Sequence, residues 1–143
     1  MQYKVFSIIF ICFIAAFISC EKTPKKGDYK GTFTGELTTD SMNVEYTTEY
    51  YFDATHSTKK ELRLKEKQSQ ITSILKKHEN DSISGMLGFG SIYNPDGDSG
   101  GGFNTVSIQG KYDKNSISGK FSTTYSDGKK EYLSEGVFNL IHY

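Results

Sequence analysis

The chain has 143 residues, and its 17 lysines and arginines balance 17 aspartates and glutamates, so the formal net charge is zero. This length suits one domain, and the charge balance excludes an electrostatic case for nucleic-acid binding. The chain contains 10 tyrosines, 10 phenylalanines and 14 glycines but only two prolines and no tryptophan. Such a composition, interrupted by frequent turn signals, is typical of an all-β protein.

The first 19 residues differ from the rest of the chain. Lys4 is the one charged side chain before residue 21, and Val5 to Ile18 form an uncharged, mostly apolar run of about 14 residues. A membrane-spanning helix needs about 20 apolar residues. A basic start followed by a short apolar stretch and small residues is instead typical of a secretory signal peptide, which we predict for residues 1–19.

The stretch Phe17-Ile18-Ser19-Cys20 resembles the lipobox of bacterial lipoproteins, in which a small residue precedes a cysteine. The resemblance implies cleavage after Ser19, lipid such as palmitate on the sulfur of Cys20, and acylation of the new amine. Cys12 would leave with the signal peptide, so Cys20 would be the single cysteine of the mature chain. We therefore expect a membrane partner through this anchor and a place in the cell envelope, with the outer membrane favoured and its face left open.

Residues 20–27 are predicted to be the lipidated cysteine and a polar tether. Glu21-Lys22-Thr23-Pro24-Lys25-Lys26-Gly27 contains a proline and a glycine and has no apolar period. Regular alternation begins directly after this segment. We therefore expect one domain over residues 28–143.

Apolar residues or glycine alternate with polar residues through most of this domain, as in half-buried strands. Between residues 29 and 37, for example, Tyr29, Gly31, Phe33, Gly35 and Leu37 alternate with polar side chains. Polar turn clusters separate such stretches, among them Asp127-Gly128, a strong hairpin signal. The pattern predicts eight strands, over residues 28–38, 43–53, 60–66, 70–78, 82–91, 103–112, 116–125 and 130–142.

Residues 57–78 also admit a second interpretation. They are rich in helix-forming residues, and Leu64, Ile71, Leu75 and His78 can be drawn on one helical face. An internal repeat favours strands: residues 73–87 and 107–121, 34 positions apart, share seven identical residues, including Ser82-Ile83-Ser84-Gly85 and Ser116-Ile117-Ser118-Gly119. The second copy alternates as a hairpin, so we predict a hairpin for the first copy.

Eight sequential strands with short connections leave two exposed edges unless the sheet closes. We therefore predict an all-β, eight-stranded antiparallel up-and-down barrel, with a β-sandwich as the rival arrangement. In overall pattern the domain resembles the lipocalin-like (calycin) barrels, and Gly27-Asp28-Tyr29 occupies the place of their Gly-x-Trp. Strand glycines, which provide bends and bulges, are expected on the inward face at Gly31, Gly35, Gly85, Gly110, Gly119 and Gly136.

A largely aromatic set of side chains is predicted to face the barrel interior. It comprises Tyr29, Phe33, Tyr46, Tyr50, Phe52, Ile74, Ile83, Phe89, Ile108, Tyr112, Ile117, Phe121, Tyr125, Tyr132 and Phe138. Eight-stranded barrels either fill with side chains or hold one small ligand, and both alternatives stay open here. The candidate ligand-binding residues are Tyr46, Tyr50, Tyr112, Phe121, Tyr125 and Tyr132.

The sequence contains no recognisable catalytic or strong metal-binding motif. Asn94, Asp96 and Asp98 have the alternate spacing of ligands in a calcium loop, but the glycine and the glutamate of that motif are absent. These three are weak candidates, and a polar loop is the favoured interpretation. His56, His78 and His142 have no ligand spacing. We predict no enzymatic activity and no cofactor.

The predicted function is that of a membrane-anchored, non-enzymatic lipoprotein whose barrel binds a small hydrophobic or amphipathic ligand. The alternative is an interaction or structural protein of the envelope, a protease inhibitor for example, that uses the outer barrel face. Apolar residues at outward positions of the last strand, Val137, Ile141 and Tyr143, favour this alternative. The protein partner is unknown in either case.

Overall fold

The computed structural model describes residues 22–89, 105–126 and 129–143. It contains eight β-strands: β1 (Gly27–Thr38), β2 (Asn43–Ser57), β3 (Glu61–Glu66), β4 (Thr72–Lys77), β5 (Ser82–Gly88), β6 (Thr105–Tyr112), β7 (Ser116–Ser126) and β8 (Glu131–His142). These bounds follow the predicted ones within a few residues. Within the described residues no helix is long and apolar enough to cross a membrane.

The strands form one closed antiparallel barrel in which each strand pairs with its neighbours in sequence and β8 returns to pair with β1. Phe33 of β1, for example, lies opposite Thr48 on one side and Phe138 on the other. Closure removes the exposed edges of the sheet. The prediction of an eight-stranded up-and-down barrel is therefore confirmed, and the β-sandwich alternative is wrong.

The up-and-down order gives the barrel two distinct ends. The first, here called the N-terminal end, carries the start of β1, the β2–β3, β4–β5 and β6–β7 turns and the end of β8. The opposite end carries the β1–β2, β3–β4, β5–β6 and β7–β8 connections, and we call it the aromatic end because of the side chains described below. The predicted strand ends at 89–91 and 103–104 lie partly outside the described residues.

Alternate side chains of each strand point into the barrel and form the core, as the period of two requires. The buried hydrophobic residues are Tyr29, Phe33, Leu37, Tyr46, Tyr50, Phe52, Ala54, Leu62, Leu64, Leu75, Ile83, Leu87, Phe89, Val106, Ile108, Ile117, Phe121, Tyr125, Phe138 and Leu140. Most of the predicted interior is in this set, and Tyr112 and Tyr132 pack against it while partly buried.

Residues 57–78 contain two strands and no helix. Leu62 of β3 lies opposite Leu75 of β4, and both side chains are fully buried in the barrel. Ile71, which the helical drawing would place on the same face as Leu75, is 40% exposed. The stretch is rich in residues with high helix propensity, but burial of alternate side chains in the barrel outweighs that propensity and makes it form strands.

Both copies of the internal repeat form hairpins, β4–β5 and β6–β7, as predicted. The hairpins differ in register by one residue. Lys77 is the last β4 residue opposite Ile83, which leaves five residues between them, whereas four separate Tyr112 from Ile117. The additional residue fits because the β4–β5 turn contains two left-handed residues, Asn80 and Asp81, each with a φ of 57°.

This difference makes the prediction for Ile74 wrong. A shift of one residue moves every side chain of a strand to the other face. β4 therefore buries Ser73, Leu75 and Lys77, while Ile74 is 50% exposed on the outer surface. β5 and β7 keep the same phase, so Ile83 and Ile117 both remain buried.

Two pairs of glycines face each other across neighbouring strands, Gly35 with Gly136 and Gly110 with Gly119. A Cβ atom on Gly136 would lie 2.1 Å from the Thr34 carbonyl oxygen and 2.6 Å from the Gly35 Cα. Such distances leave no room for a side chain. The close approach of β1 and β8, which closes the barrel, therefore requires glycine at this position.

We expect Gly136→Ala to lower the free energy of unfolding by roughly 1–3 kcal/mol, because an inserted methyl group must displace backbone atoms of β1. Urea denaturation of residues 22–143 would measure this change. Asn139→Ala, on the exposed outer face of the same strand, is the matched control and should change stability by less than about 0.5 kcal/mol. Equal stability of Gly136→Ala and the native sequence would contradict the packing described for the β1–β8 seam.

Candidate functional site

Aromatic rings occupy the centre of the barrel. The ring of Phe33 lies 5.4 Å from that of Phe89, 5.6 Å from Phe121 and 5.9 Å from both Tyr50 and Phe138, measured between centroids. Tyr50 and Phe89 are closer still, at 4.4 Å. These distances are those of packed aromatic pairs, so the described centre is filled by its own side chains.

The interior glycines do not open a space beside these rings. A Cβ on Gly31 would come within 2.8 Å of the Phe52 ring, and one on Gly35 or Gly136 within 2.8 Å of the Phe121 ring. The rings therefore lie directly over the glycine backbone and use the volume that larger residues would take. Of the two alternatives left open by the sequence, the described interior corresponds to the packed core.

Four of the six candidate ligand-binding residues converge toward the aromatic end. Tyr46 and Phe121 have centroids 6.5 Å apart, and Tyr125 and Tyr132 face each other across β7 and β8 at 6.4 Å. Tyr46, Phe121 and Tyr125 are buried, whereas Tyr132 is partly exposed. Met42, in the β1–β2 connection, is also partly buried against this core. The aromatic interior thus reaches solvent at this end through Tyr132 and Met42.

Two linked hydrogen bonds cross the same part of the interior. The Ser134 hydroxyl donates to the Glu36 carbonyl oxygen at 2.7 Å and lies 2.7 Å from the Tyr46 hydroxyl. Because a serine hydroxyl has one proton, the Tyr46 hydroxyl must donate to the Ser134 Oγ. The aromatic end therefore combines ring faces with one buried pair of hydroxyls.

The other two candidates lie elsewhere in the barrel. Tyr50 belongs to the central ring cluster, next to Phe33 and Phe89. Tyr112 is at the N-terminal end, where its ring lies 5.2 Å from the Lys77 ammonium group. The six residues thus do not form one site, because Tyr112 ends β6 and Tyr132 begins β8, and these positions lie at opposite ends of an up-and-down barrel.

Lys77 is a buried lysine that the sequence did not single out. Its side chain is only 8% exposed, and its ammonium group donates to the Thr58 carbonyl oxygen and to the Ser57 hydroxyl at 3.1 Å. The contact with the Tyr112 ring has the geometry of a cation–π interaction. The repeat pairs Lys77 with the exposed Lys111, so only the shifted register of β4 reveals its inward position.

The three histidines are separated and have local partners. His78 pairs with the Ser84 hydroxyl at 2.8 Å, His142 donates to the Lys26 carbonyl oxygen at 3.1 Å, and His56 lies 3.7 Å from Glu61. Within the part of the chain that the structure describes, no three His, Cys, Asp or Glu side chains are grouped to hold a metal ion. Cys20 and the weak candidates Asn94, Asp96 and Asp98 lie outside the described residues.

Glu66 is a buried carboxylate with a structural environment. It accepts the backbone N–H groups of Gln68, at 2.9 Å, and of Ser69, at 2.5 Å, and so caps the β3–β4 turn. Burial alone would raise the pKa of Glu66, but the hydrogen bonds from Ser69 and Gln68 outweigh it and hold the pKa below its usual value. A general acid needs the opposite shift, so this geometry suits a turn cap.

Two depressions on the described surface are noteworthy. One, of about 660 Å³, opens at the N-terminal end and is lined by Lys59, Lys77, Tyr112 and the β4–β5 turn. The other, of about 420 Å³, lies on the outer surface of β5 to β8, where Met86 and Leu133 flank a floor of serine and threonine hydroxyls. Both are open to solvent and lie outside the ring-filled centre.

No protein-family model matches the chain, and no curated protein shows significant similarity to it. The structure therefore defines the class of architecture alone. That class is the closed, eight-stranded, antiparallel up-and-down barrel, consistent with a lipocalin-like fold.

Tyr29 provides a direct test of the packing at the N-terminal end. Its side chain is fully buried, and its hydroxyl donates to the Lys25 carbonyl oxygen at 2.9 Å. Burial raises the pKa of Tyr29 from 10.0 to about 12. The neutral hydroxyl is therefore favoured in the folded state.

The stability that Tyr29 contributes should be complete below pH 10 and should decrease as the pH rises toward 12. Two units of pKa correspond to about 2–3 kcal/mol of unfolding free energy. Urea denaturation at pH 9.5 and pH 11.5 would compare the native sequence with Tyr29→Phe, which should lose roughly 1.5–2 kcal/mol less over this interval, because the rest of the effect develops above pH 11.5. If both proteins lose the same unfolding free energy between the two pH values, the pKa of Tyr29 is not raised by folding, and the packing described here is contradicted.

Proposed function

We propose that the protein is a lipid-anchored, non-enzymatic component of the cell envelope that binds a small hydrophobic or amphipathic ligand at the aromatic end of its barrel. The anchor is inferred from the signal-like first 19 residues and Cys20. The binding role is inferred from the barrel, whose class accommodates one small ligand when its interior is not completely filled.

The convergence of Tyr46, Phe121, Tyr125 and Tyr132 carries this proposal. Ring faces provide apolar contact area with few rotatable bonds, whereas both hydroxyl protons of the Tyr46–Ser134 pair are donated within the protein. The filled centre limits the depth of such a site. We therefore propose a ligand no larger than a short acyl chain or a single ring, bound where Met42 and Tyr132 meet solvent.

The environments of the described polar side chains support a non-enzymatic role. Glu66 caps a turn, and His78 and His142 pair with Ser84 and with a backbone carbonyl. The His78–Ser84 contact does place a hydroxyl beside an imidazole, but it is exposed, and among the described residues no carboxylate contacts His78 to orient it as in a catalytic triad.

If Cys20 carries the lipid anchor, replacing it should release the protein from the membrane. Cys20→Ala should abolish metabolic labelling with radioactive palmitate and move the protein out of the membrane fraction, because acyl chains contribute about 0.8 kcal/mol per buried methylene. Fractionation of cells expressing the native sequence and the variant would measure both effects. Ser41→Ala, in the exposed β1–β2 connection, is the control and should leave labelling unchanged. Membrane retention of the unlabelled variant would contradict the anchor.

The ligand site predicts a bound mass that depends on the aromatic end. Native mass spectrometry of protein purified gently from its host should show an additional mass that disappears on denaturation. Tyr132→Ala should lower its occupancy about tenfold, which corresponds to loss of roughly 1.4 kcal/mol of ring contact. Tyr51→Ala removes an exposed tyrosine on the outer face of β2 and should leave occupancy unchanged.

A bare polypeptide mass, even after incubation with a lipid extract, would contradict the ligand site and favour the alternative function. A specific observation supports that alternative: Leu133, Val137 and Ile141 on the outer face of β8 are 62%, 57% and 50% exposed. Their neighbours on β7, Thr124, Lys120 and Ser116, are polar. Along the same face, Glu135 and Asn139 separate the three side chains, so they form a row of single apolar contacts on a polar surface.

A further inference from the structure

The segment that joins Cys20 to the barrel is held against the N-terminal end. Pro24 is buried, and the Lys25 N–H donates to the Lys114 carbonyl oxygen at 3.1 Å. The Tyr29 hydroxyl and the His142 ring donate to the carbonyl oxygens of Lys25 and Lys26. Residues 24–27 therefore lie across the end of the barrel and connect β1, β8 and the β6–β7 turn.

This attachment shortens the free part of the tether. Lys22 is itself within 3.5 Å of Asp81 in the β4–β5 turn. From Cys20 to the buried Pro24 the chain spans four residues, or at most about 14 Å when fully extended. A lipid on Cys20 would thus hold the N-terminal end at the membrane surface, with little freedom for the barrel to move away.

Exposed lysines surround the same end. They come from the N-terminal segment, the β2–β3 turn and the β6–β7 turn, and we call them the lysine rim: Lys22, Lys25, Lys26, Lys59, Lys60 and Lys114. Inside this rim opens the depression of about 660 Å³, beside which the buried Lys77 adds a further positive charge. A charge in a buried position is screened by salt less than an exposed one.

Acidic residues at this end only partly offset the lysine rim. They are Asp28, Glu61, Glu79, Asp81 and Asp113. Asp28 pairs with Lys67 and Glu61 with Arg63, neither of which belongs to the lysine rim, whereas Asp81 pairs with Lys22 and offsets that one rim lysine. Asp113 accepts the backbone N–H groups of Asn115 and Ser116 in its own turn. Four of the five carboxylates are therefore already engaged within the protein.

We infer that the N-terminal end is a membrane-docking face, on which the lysine rim contacts the phosphates of anionic lipid headgroups and orients the barrel with its aromatic end away from the bilayer. This inference rests on the proposed lipid anchor and adds an orientation to it. Each lysine near an anionic surface strengthens membrane association about fivefold. Several such contacts would fix the barrel upright, since the anchor prevents it from diffusing away.

Chemical labelling of the lysines tests this orientation. Full-length lipidated protein, extracted from membranes, is reconstituted into vesicles of phosphatidylcholine alone or of phosphatidylcholine mixed with phosphatidylglycerol. Lysines are acetylated briefly with a water-soluble ester, and peptides are quantified by mass spectrometry. We expect Lys25, Lys26 and Lys59 to be protected about fivefold or more in the anionic vesicles relative to the neutral ones, and high salt to abolish the difference.

Matched variants separate docking from general burial. Lys60→Gln with Lys114→Gln should abolish most of the protection of Lys25 and Lys26, because two of the cationic contacts that hold this end at the membrane are removed. Lys120→Gln with Lys130→Gln changes an exposed lysine on the outer face of β7 and one at the opposite end of the barrel, and should leave protection unchanged. The reactivity of Lys120 and Lys130 in the native sequence should not depend on vesicle composition.

Flotation of the same vesicles distinguishes failure of the anchor from failure of the orientation. Protein that floats with both kinds of vesicle, but whose rim lysines react as fast in anionic as in neutral ones, has an anchor and lacks the docking face. Protein that floats with neither kind lacks the anchor, and the inference falls with it. Protection that is equal across all lysines of the chain would indicate aggregation on the vesicle and would also overturn the proposed orientation.

Discussion

The structure depends on one constraint of volume, which is that aromatic rings must fit over glycine backbone inside a closed sheet. Eight strands enclose an interior that side chains can just fill. Phe121 lies over both Gly35 and Gly136, where β1 meets β8, so the closure of the sheet and the packing of its centre use the same atoms. Neither can be altered alone, because a larger residue at the seam would displace both the ring and the neighbouring strand.

The two ends of the barrel differ because the centre is filled. Tyr46, Tyr125 and Tyr132 bring ring faces and hydroxyls toward one end, whereas the N-terminal end is covered by residues 24–27 and carries lysines. A ligand and a membrane would therefore approach from opposite directions. The proposed functions are compatible for this geometric reason, since occupation of the aromatic end leaves the lysine rim unchanged.

The period of two in the sequence was sufficient to predict the eight strands, the hairpins and most of the interior, since alternation directly encodes which face a residue occupies. It failed at Ile74, because a turn with one additional residue reverses the phase of β4 and leaves the repeat itself intact. Alternation alone did not assemble the site. Tyr112 ends β6 and Tyr132 begins β8, so the two tyrosines lie at opposite ends of the barrel, and alternation records the face of a residue without its position along the strand.

The pairing of β1 with β8 also determines when the fold can form. Tyr29 meets His142 in that register, so the two strands that close the barrel are almost the first and the last to be synthesised in this domain. Hairpins such as β6–β7 can form locally, but the seam must wait until the whole chain is present, and contacts of such large sequence separation form slowly. Until then both β1 and β8 have an unpaired edge. The interval between synthesis and closure is therefore the period in which the chain is most exposed to aggregation and proteolysis.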